Sequence, residues 1–355
     1  MTAFLVVLVI ILFGISVWQM NRIFQLAKIK PTLNSEIASD KDNNTQGYLM
    51  MGFLAFIYIL AILSFWLWGD TLLPESGSEH GAQIDNLMLI SMILIFFVGI
   101  ITQGVLHYFA FIYRGNVVKR ATFYADNDKL EFIWTIVPVI TLAGLIIYGL
   151  FTWTDIMNVD KDDDPLIVEL YAQQFNWKVR YGGNDNTLGE ANVRLIKGIN
   201  QLGVDAGDPN GQDDKIVTEM HLPVGRKVLI KMRSQDVLHS AYMPHFRAQM
   251  NCVPGMITQF AFTPTITTEE MRQNDHIIEK VTNINNIRSE KSKALVAGGE
   301  EALEPYQFDY LLLCNKICGI SHYNMQMNII VESEEDYKAW LAEQPTLAEQ
   351  LSKEN

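Results

Sequence analysis

The segment LLLCNKICGISHYNM, residues 311–325, decides how the whole chain is interpreted. It contains four side chains of metal-binding types at the spacing C-x3-C-x3-H-x2-M: Cys314, Cys318, His322 and Met325. A second imidazole, that of His239, lies upstream in the segment DVLHS, just after a candidate strand. Thiolates, imidazoles and thioethers are soft to borderline ligands, which suit copper. The sequence therefore predicts a copper site built from these two segments.

The second thiolate separates two kinds of copper site. Without Cys314, the remaining side chains are the ligand set of a mononuclear blue-copper centre. A single copper has no use for that thiolate, whereas two thiolates on one tight loop can bridge two coppers, each capped by one histidine. A disulfide or a buried core cysteine would leave His322 and Met325 unexplained. Zinc would not require the methionine, and a c-type haem needs C-x-x-C-H, which the sequence lacks.

The composition indicates a membrane protein with a separate soluble part. Hydrophobic residues make up 49% of the 355 residues and charged residues only 19%, below the roughly 25% of an average soluble domain. Four apolar runs account for this, and each has about the 20 residues that a helix needs to cross a bilayer: Ala3–Met20, Tyr48–Gly69, Leu87–Tyr113 and Phe132–Thr154. We therefore predict four transmembrane helices.

Charges in the loops predict the orientation of these helices. Two connections, 21–46 and 114–130, contain the basic residues Arg22, Lys28, Lys30, Lys41, Arg114, Lys119, Arg120 and Lys129. The connection from 70 to 85 is acidic and contains no Lys or Arg. By the positive-inside rule, the basic connections are cytoplasmic, and the N-terminus and everything after Thr154 lie outside. No basic residue precedes the first run, which favours an anchor, with a cleaved signal peptide as the alternative.

The residues after Asp155 have the composition of a soluble all-β domain. LIVELYAQQFNWKVRY, residues 166–181, mostly alternates and is rich in β-forming residues. Shorter strand candidates follow at Ile216–Leu222, Lys227–Arg233, Ile257–Phe262, Phe308–Cys314 and Met327–Glu332. Residues 155–355 contain 19 Lys and Arg against 30 Asp and Glu, a net charge of −11. This charge repels nucleic acid and would attract a basic partner.

Several motifs show that the chain resembles subunit II of the haem–copper cytochrome c oxidases. They are LEFIWTIVP (130–138), QFNW (174–177), LPVG (222–225), DVLHS (236–240), VPG (253–255) and the cysteine segment. The resemblance implies a membrane α-helical N-terminal part and an all-β extracytoplasmic cupredoxin-like domain. On this basis the chain divides into an N-terminal extension with two transmembrane helices (1–70), a transmembrane hairpin (86–155), a CuA domain (156–332) with insertions at 182–214 and 263–302, and an acidic helical tail (333–355).

The resemblance also implies how the candidate ligands act. Cys314 and Cys318 would bridge the two copper ions of a binuclear centre, CuA. His239 would cap one ion and His322 the other. Met325 would be the weak ligand of one ion.

Two departures from the family pattern change what is expected of neighbouring residues. Where the family usually has Glu, this sequence has Lys316. The backbone carbonyl of Lys316 would still bind the second copper. That Glu helps to bind magnesium at the interface with subunit I, and an ammonium has no lone pair to replace it. Magnesium is therefore not expected to bind through residue 316. The family's QWYW is QFNW here, so the electron-entry role passes to Phe175 or to its neighbour Trp177.

Glu131, at the start of the fourth apolar run, has two possible roles. A carboxylate there complements the N-terminus of a helix. In the family, a Glu at this place guides protons into a channel of subunit I from the inner side. The predicted orientation puts Glu131 on that side.

The implied function is that of the electron-entry subunit of a proton-translocating terminal respiratory oxidase. CuA would take electrons from cytochrome c, or from a haem domain of a neighbouring respiratory complex, and pass them to haem in subunit I for oxygen reduction. Expected partners are subunit I, with its haem and CuB, and subunit III. The expected location is the bacterial inner membrane, with the N-terminus and the CuA domain on the periplasmic side.

The main alternative function is that of a membrane-anchored blue-copper carrier or other copper-binding module, and Cys314 argues against it. A quinol oxidase subunit II would lack the copper ligands. A nitrous oxide reductase, which also uses CuA, would need a catalytic domain for which this length leaves no room. Of the other candidate residues, Cys252 is expected to be a core thiol and His245 a core or surface histidine.

Overall fold

The computed structural model describes residues 2–27, 39–116, 118–119, 122–159 and 163–352. Lys28, Lys30 and Arg120, which contribute to the predicted orientation, lie outside these ranges. The chain divides into two compact units: Met1–Leu72 with Met92–Val137, and Leu73–Ser91 with Pro138–Asn355.

The four predicted membrane helices are confirmed in the described part of the chain: α1 (Thr2–Ala27), α2 (Asp40–Trp68), α3 (Gly81–Ile112) and α4 (Asp128–Met157). All four are long and apolar enough to cross a membrane. They are longer than the apolar runs because polar residues extend their ends. Ser39, for example, caps α2 by accepting a hydrogen bond from the Asp42 backbone N–H.

Polar contacts connect the helices of the first unit. The hydroxyl of Tyr58 on α2 donates to the carbonyl of Ile100 on α3 at 2.6 Å. Nearer the helix ends, Arg22 pairs with Asp42 at 2.7 Å. The apolar side chains of these helices are mostly exposed, as expected of surfaces that face lipid.

The second unit contains two five-stranded sheets, which confirms the all-β prediction. The first sheet has the order β3-β2-β1-β5-β8, with strands Lys215–Val217, Asn176–Tyr181, Leu166–Gln173, Val228–Ser234 and Thr258–Phe262. The second has the order β4-β10-β9-β6-β7, with strands Met220–Pro223, Gln326–Glu332, Tyr310–Cys314, His239–Met243 and Ala248–Cys252. The pairs β1–β5 and β4–β10 are parallel, and the other pairs are antiparallel.

Strand β1 is buried on both faces, as expected for a strand that pairs in parallel with β5. Val168 and Leu170 are fully buried in the main core. On the other face, Tyr171 packs in a smaller cluster with Leu202 of the 182–214 insertion and Leu347 of the C-terminal tail. The insertion and the tail therefore cover this sheet.

The strand predictions were wrong in three places. Residues 166–181, predicted as one strand, form the antiparallel pair β1 and β2 with a turn between them. Ile216–Leu222, predicted as one strand, is two strands, because the chain leaves the first sheet after β3 and enters the second at β4. Strands β6 and β7 were missed. In β6, buried positions are occupied by the polar residues His239 and Ser240, which hides the apolar alternation.

Two regions of the soluble part contain helices. The 263–302 insertion contains α6 (Thr268–Arg272) and α7 (Asp275–Ala297), and 182–214 is mostly loop with the short helix α5 (Pro209–Gln212). The tail forms α8 (Glu334–Glu343) and α9 (Leu347–Ser352). It is firmly packed: Trp340 stacks on His221 with ring centroids 3.8 Å apart.

Residues 74–79, here called the linker strip, are hydrogen-bonded into the β domain. The Gly77 N–H donates to the His245 carbonyl at 2.7 Å, and the Thr265 N–H donates to the Gly77 carbonyl at 2.9 Å. The Ser78 hydroxyl donates to the Phe246 carbonyl at 2.8 Å. The β domain therefore includes a segment that precedes α3 in the chain.

Candidate metal centre

The predicted ligands meet at one end of the second sheet. Cys314 is the last residue of β9, and His239 is the first residue of the neighbouring strand β6. Residues 315–325, here called the cysteine loop, connect β9 to β10. Because Ala241 pairs with Cys314 across β6 and β9, the start of β6 is held close to this loop.

Each thiol lies beside its own imidazole. Cys314 Sγ is 3.8 Å from His239 Nδ1, and Cys318 Sγ is 3.6 Å from His322 Nδ1. The two sulfurs are 3.8 Å apart and form no disulfide. The ligand atoms of His239, Cys314 and Cys318 all lie within 4.8 Å of one another. This is the spacing of a group that can hold metal, and these soft ligands fit copper.

Two further donors complete the cluster. Met325 Sδ lies 3.7 Å from Cys318 Sγ. The Lys316 carbonyl oxygen lies 3.2 Å from Cys314 Sγ, while the Lys316 side chain is exposed. The thioether is therefore beside one thiol and the carbonyl beside the other.

The cluster lies just beneath the surface. His239, Cys318 and Met325 are buried, and Cys314 and His322 are half-buried. Three large apolar side chains of the cysteine loop are almost fully exposed around it: Ile317, Ile320 and Tyr323. Burial raises the pKa of the Cys318 thiol to about 11, with a further contribution from Cys314.

Asp236 fixes the orientation and tautomer of His239. Its Oδ1 lies 2.8 Å from His239 Nε2. Although burial opposes ionisation, hydrogen bonds from the Gln174 backbone N–H and from His239 hold the pKa of Asp236 below its usual value. An ionised carboxylate only accepts hydrogen bonds, so Nε2 carries the proton. The unprotonated Nδ1 then faces the sulfur, as a metal ligand must.

The two predicted electron-entry aromatics contact this cluster. Trp177 is buried, its ring centroid is 6.1 Å from that of His239, and its Nε1 donates to the Met325 carbonyl at 3.4 Å. Phe175 lies over the cysteine loop at Gly319. A Cβ at Gly319 would come within 2.8 Å of the Phe175 ring, and φ is +146° there, so only glycine permits this contact.

The other candidate residues supply no atom to the group formed by His239, Cys314 and Cys318, although Cys252 lies opposite His239 across β6 and β7. Glu131 is exposed in the first turn of α4, and the Asn127 side chain caps this helix at the Leu130 N–H. Cys252 is fully buried, and burial raises the pKa of its thiol to about 12. His245 is buried against Phe308 and Tyr310, as a core histidine would be.

Sequence reasoning did not identify Asp236 or Gln174 as part of the site. Both residues were inside quoted motifs, DVLHS and QFNW. An acidic residue three positions before a ligating histidine is a recognisable signal, because such histidines usually donate to a carboxylate. Gln174 gives no such signal, because its contact with the site forms only when the β1–β2 turn packs against the cysteine loop.

Comparison with known proteins gives matches in both units. The family described as "Cytochrome C oxidase subunit II, transmembrane domain" matches residues 66–151, and "Cytochrome C oxidase subunit II, periplasmic domain" matches residues 167–274. The second match ends just before α7, so the cysteine loop lies outside it. The assignment of these ligands therefore rests on their spacing and geometry.

Relatives that match over most of the chain have the same description. The alternative cytochrome c oxidase subunit 2 of Bradyrhizobium diazoefficiens is 33% identical over 243 residues, covering 68% of this chain and 73% of that protein. The cytochrome c oxidase subunit 2 of Thermostichus vulcanus is 23% identical over 320 residues, covering 82% and 84%. A solved periplasmic domain of oxidase subunit II from Bradyrhizobium japonicum covers 50% of this chain and 91% of its own, at 18% identity and TM-score 0.28, a likeness too low for comparing the folds.

Proposed function

This chain belongs to the cytochrome c oxidase subunit II family, and from that premise we propose that its copper site is the binuclear centre CuA. The chain is the electron-entry subunit of a haem–copper terminal oxidase, an oxidoreductase complex. It is a membrane protein with an extracytoplasmic β domain. The proposal concerns the number of copper ions, their ligands and the path of the electrons.

The observation that carries the proposal is the pairing of each thiol with its own imidazole. Cys314 is next to His239, Cys318 is next to His322, and the two sulfurs lie between the imidazoles. Met325 is beside one sulfur and the Lys316 carbonyl beside the other. A mononuclear site would leave one thiol and one of these donors unused.

The chain's own residues supply what such a centre needs. When bound, the thiolate-bridged copper pair would accept one electron at a time and release it with little change in geometry. His239 and Cys314 are held on adjacent strands, and Asp236 keeps the His239 Nδ1 unprotonated and pointing at the sulfur. Burial of His239, Cys318 and Met325 excludes water from the ligands.

Partners and electron entry follow from this assignment. We propose that electrons arrive from cytochrome c, or from a haem domain of a neighbouring complex, through Phe175 or Trp177. They would leave for haem in subunit I, which also carries CuB, and subunit III would complete the complex. We place the chain in a bacterial inner membrane, with the N-terminus and β domain on the periplasmic side. Glu131 would serve proton entry from the opposite side, and magnesium would not be held through Lys316.

The number of copper ions tests the proposal. The full-length chain, purified in detergent and loaded with copper, should bind two copper ions. The electron paramagnetic resonance (EPR) spectrum of its mixed-valence form should show hyperfine splitting from two equivalent copper nuclei. Cys314→Ser should reduce the content to one ion or none and abolish this pattern. In the control variant Cys252→Ala, the centre should be unchanged, because this buried thiol is no ligand. One ion per chain with single-nucleus splitting would identify a blue-copper site instead.

A further inference from the structure

Gln174 contacts both segments that carry the copper ligands while belonging to neither. It follows β1 in the turn to β2. Its side-chain Nε2 donates to the Cys318 carbonyl at 2.5 Å, and its backbone N–H donates to Asp236 Oδ2 at 2.8 Å. This residue of the β1–β2 turn therefore connects the two segments that carry the ligands.

Asp236 extends this connection to a ligand. While Oδ2 accepts from Gln174, Oδ1 accepts from His239 Nε2 at 2.8 Å and from the Val237 N–H at 2.7 Å. The result is a continuous path from the Cys318 carbonyl, through Gln174 and Asp236, to the His239 ring. Both ends of the path are buried.

The middle of the cysteine loop has little other support. Among the hydrogen bonds described for residues 316–320, only the one from Gln174 comes from outside the segment 314–325. The side chains of Ile317 and Ile320 project into solvent. Phe175, the next residue after Gln174, packs on Gly319. The position of Cys318 relative to His239 therefore depends on this turn.

We propose that Gln174 is a positioning residue for the copper centre. It holds the Cys318 thiolate in a fixed position relative to His239, so that the two metal positions stay equivalent. This inference rests on the proposed binuclear centre. A leucine at 174 keeps the bulk and the backbone bond to Asp236 but removes the bond to Cys318. Without that bond, the Cys318 side of the centre shifts while the Cys314 side stays in place.

Three variants of the full-length, copper-loaded chain test this inference. Gln174→Leu and Gln174→Glu both remove the N–H donor, and Asn176→Leu changes an exposed amide in the same region. Both Gln174 variants should lose copper to a chelator faster than the unsubstituted chain, because removing a group that supports a ligand usually lowers metal affinity about 10- to 100-fold. Their EPR spectra should show unequal coupling to the two nuclei, and the reduction potential should shift. Asn176→Leu should match the unsubstituted chain in all three measurements.

The outcomes distinguish the two proposals. If the unsubstituted chain shows a single copper nucleus, the binuclear assignment fails and the inference fails with it. If that chain is binuclear and the Gln174 variants have its spectrum, potential and copper-loss rate, only the inference is overturned. A lower melting temperature without these changes would mean a purely structural role and would also overturn it.

Discussion

The buried imidazole of His245 makes the stability of the β domain depend on pH. Burial lowers the pKa of His245 to about 4, with smaller contributions from Lys280 and Arg247, from an ordinary value of 6.5. Between these values the unfolded chain binds the proton and the folded chain does not. The free energy of unfolding should therefore fall as pH decreases from about 6.5 to about 4, by at most about 1.4 kcal/mol per pH unit.

His245→Asn isolates this effect, because an amide can still donate to the Glu75 carbonyl that His245 contacts at 3.0 Å. The stability difference between the unsubstituted chain and the variant should change with this slope between pH 6.5 and 4. Denaturant titrations of the full chain in detergent, followed by tryptophan fluorescence, measure it. The variant His276→Asn, at an exposed imidazole on α7, is the matched control. A pH-independent difference for His245→Asn would disprove the prediction.

At the scale of elements, the contacts of Arg247 with the linker strip and with α3 should contribute measurably to the stability of the β domain. Arg247, in the left-handed region with φ 51°, donates to the Pro74 carbonyl and makes two bonds of 2.7 and 2.9 Å to Asp85 in α3. Its side chain is only 7% exposed. Asp85→Ala should therefore lower the free energy of unfolding of the β domain by about 1–3 kcal/mol. Asp70→Ala removes an exposed carboxylate near the same connection and should cost much less; equal effects would contradict the prediction.

How much of the structure can be predicted from the sequence depends on whether an element's residues form a recognisable pattern. The membrane helices and β1 have strong apolar patterns, and all but one of the side-chain ligands lie within the twelve residues 314–325. Strand β6 was missed because its first two buried positions hold the polar residues His239 and Ser240. The linker strip and Gln174 act through backbone and amide hydrogen bonds to residues distant in sequence. Such bonds have no periodicity and depend only on the folded topology.

At the scale of the whole molecule, the linker strip gives evidence on topology that is independent of loop charge. It joins α2 to α3, and it is hydrogen-bonded to the β domain at His245 and Thr265. The α2–α3 connection and the β domain must therefore lie on the same side of the membrane. The positive-inside rule predicted the same arrangement from the charges of the loops.

Single cysteines introduced at exposed positions check this topology. In intact cells, a membrane-impermeant maleimide should label Thr71→Cys and Glu301→Cys above the level of the unsubstituted chain. Asn116→Cys, in the connection between α3 and α4, should be labelled only after the cells are permeabilised. Labelling of Asn116→Cys in intact cells would reverse the assigned orientation.

The linker strip also imposes an order of events during biosynthesis. Ser78 and its hydrogen-bond partner Phe246 are 168 residues apart in the chain. At translation rates of about 5–20 residues per second, the strip reaches the outside about 10–30 s before its partner has been made. During that interval its backbone groups bond only to water or to a chaperone. The β domain closes late, after all four helices have been synthesised, and the cysteine loop is made later still than Phe246.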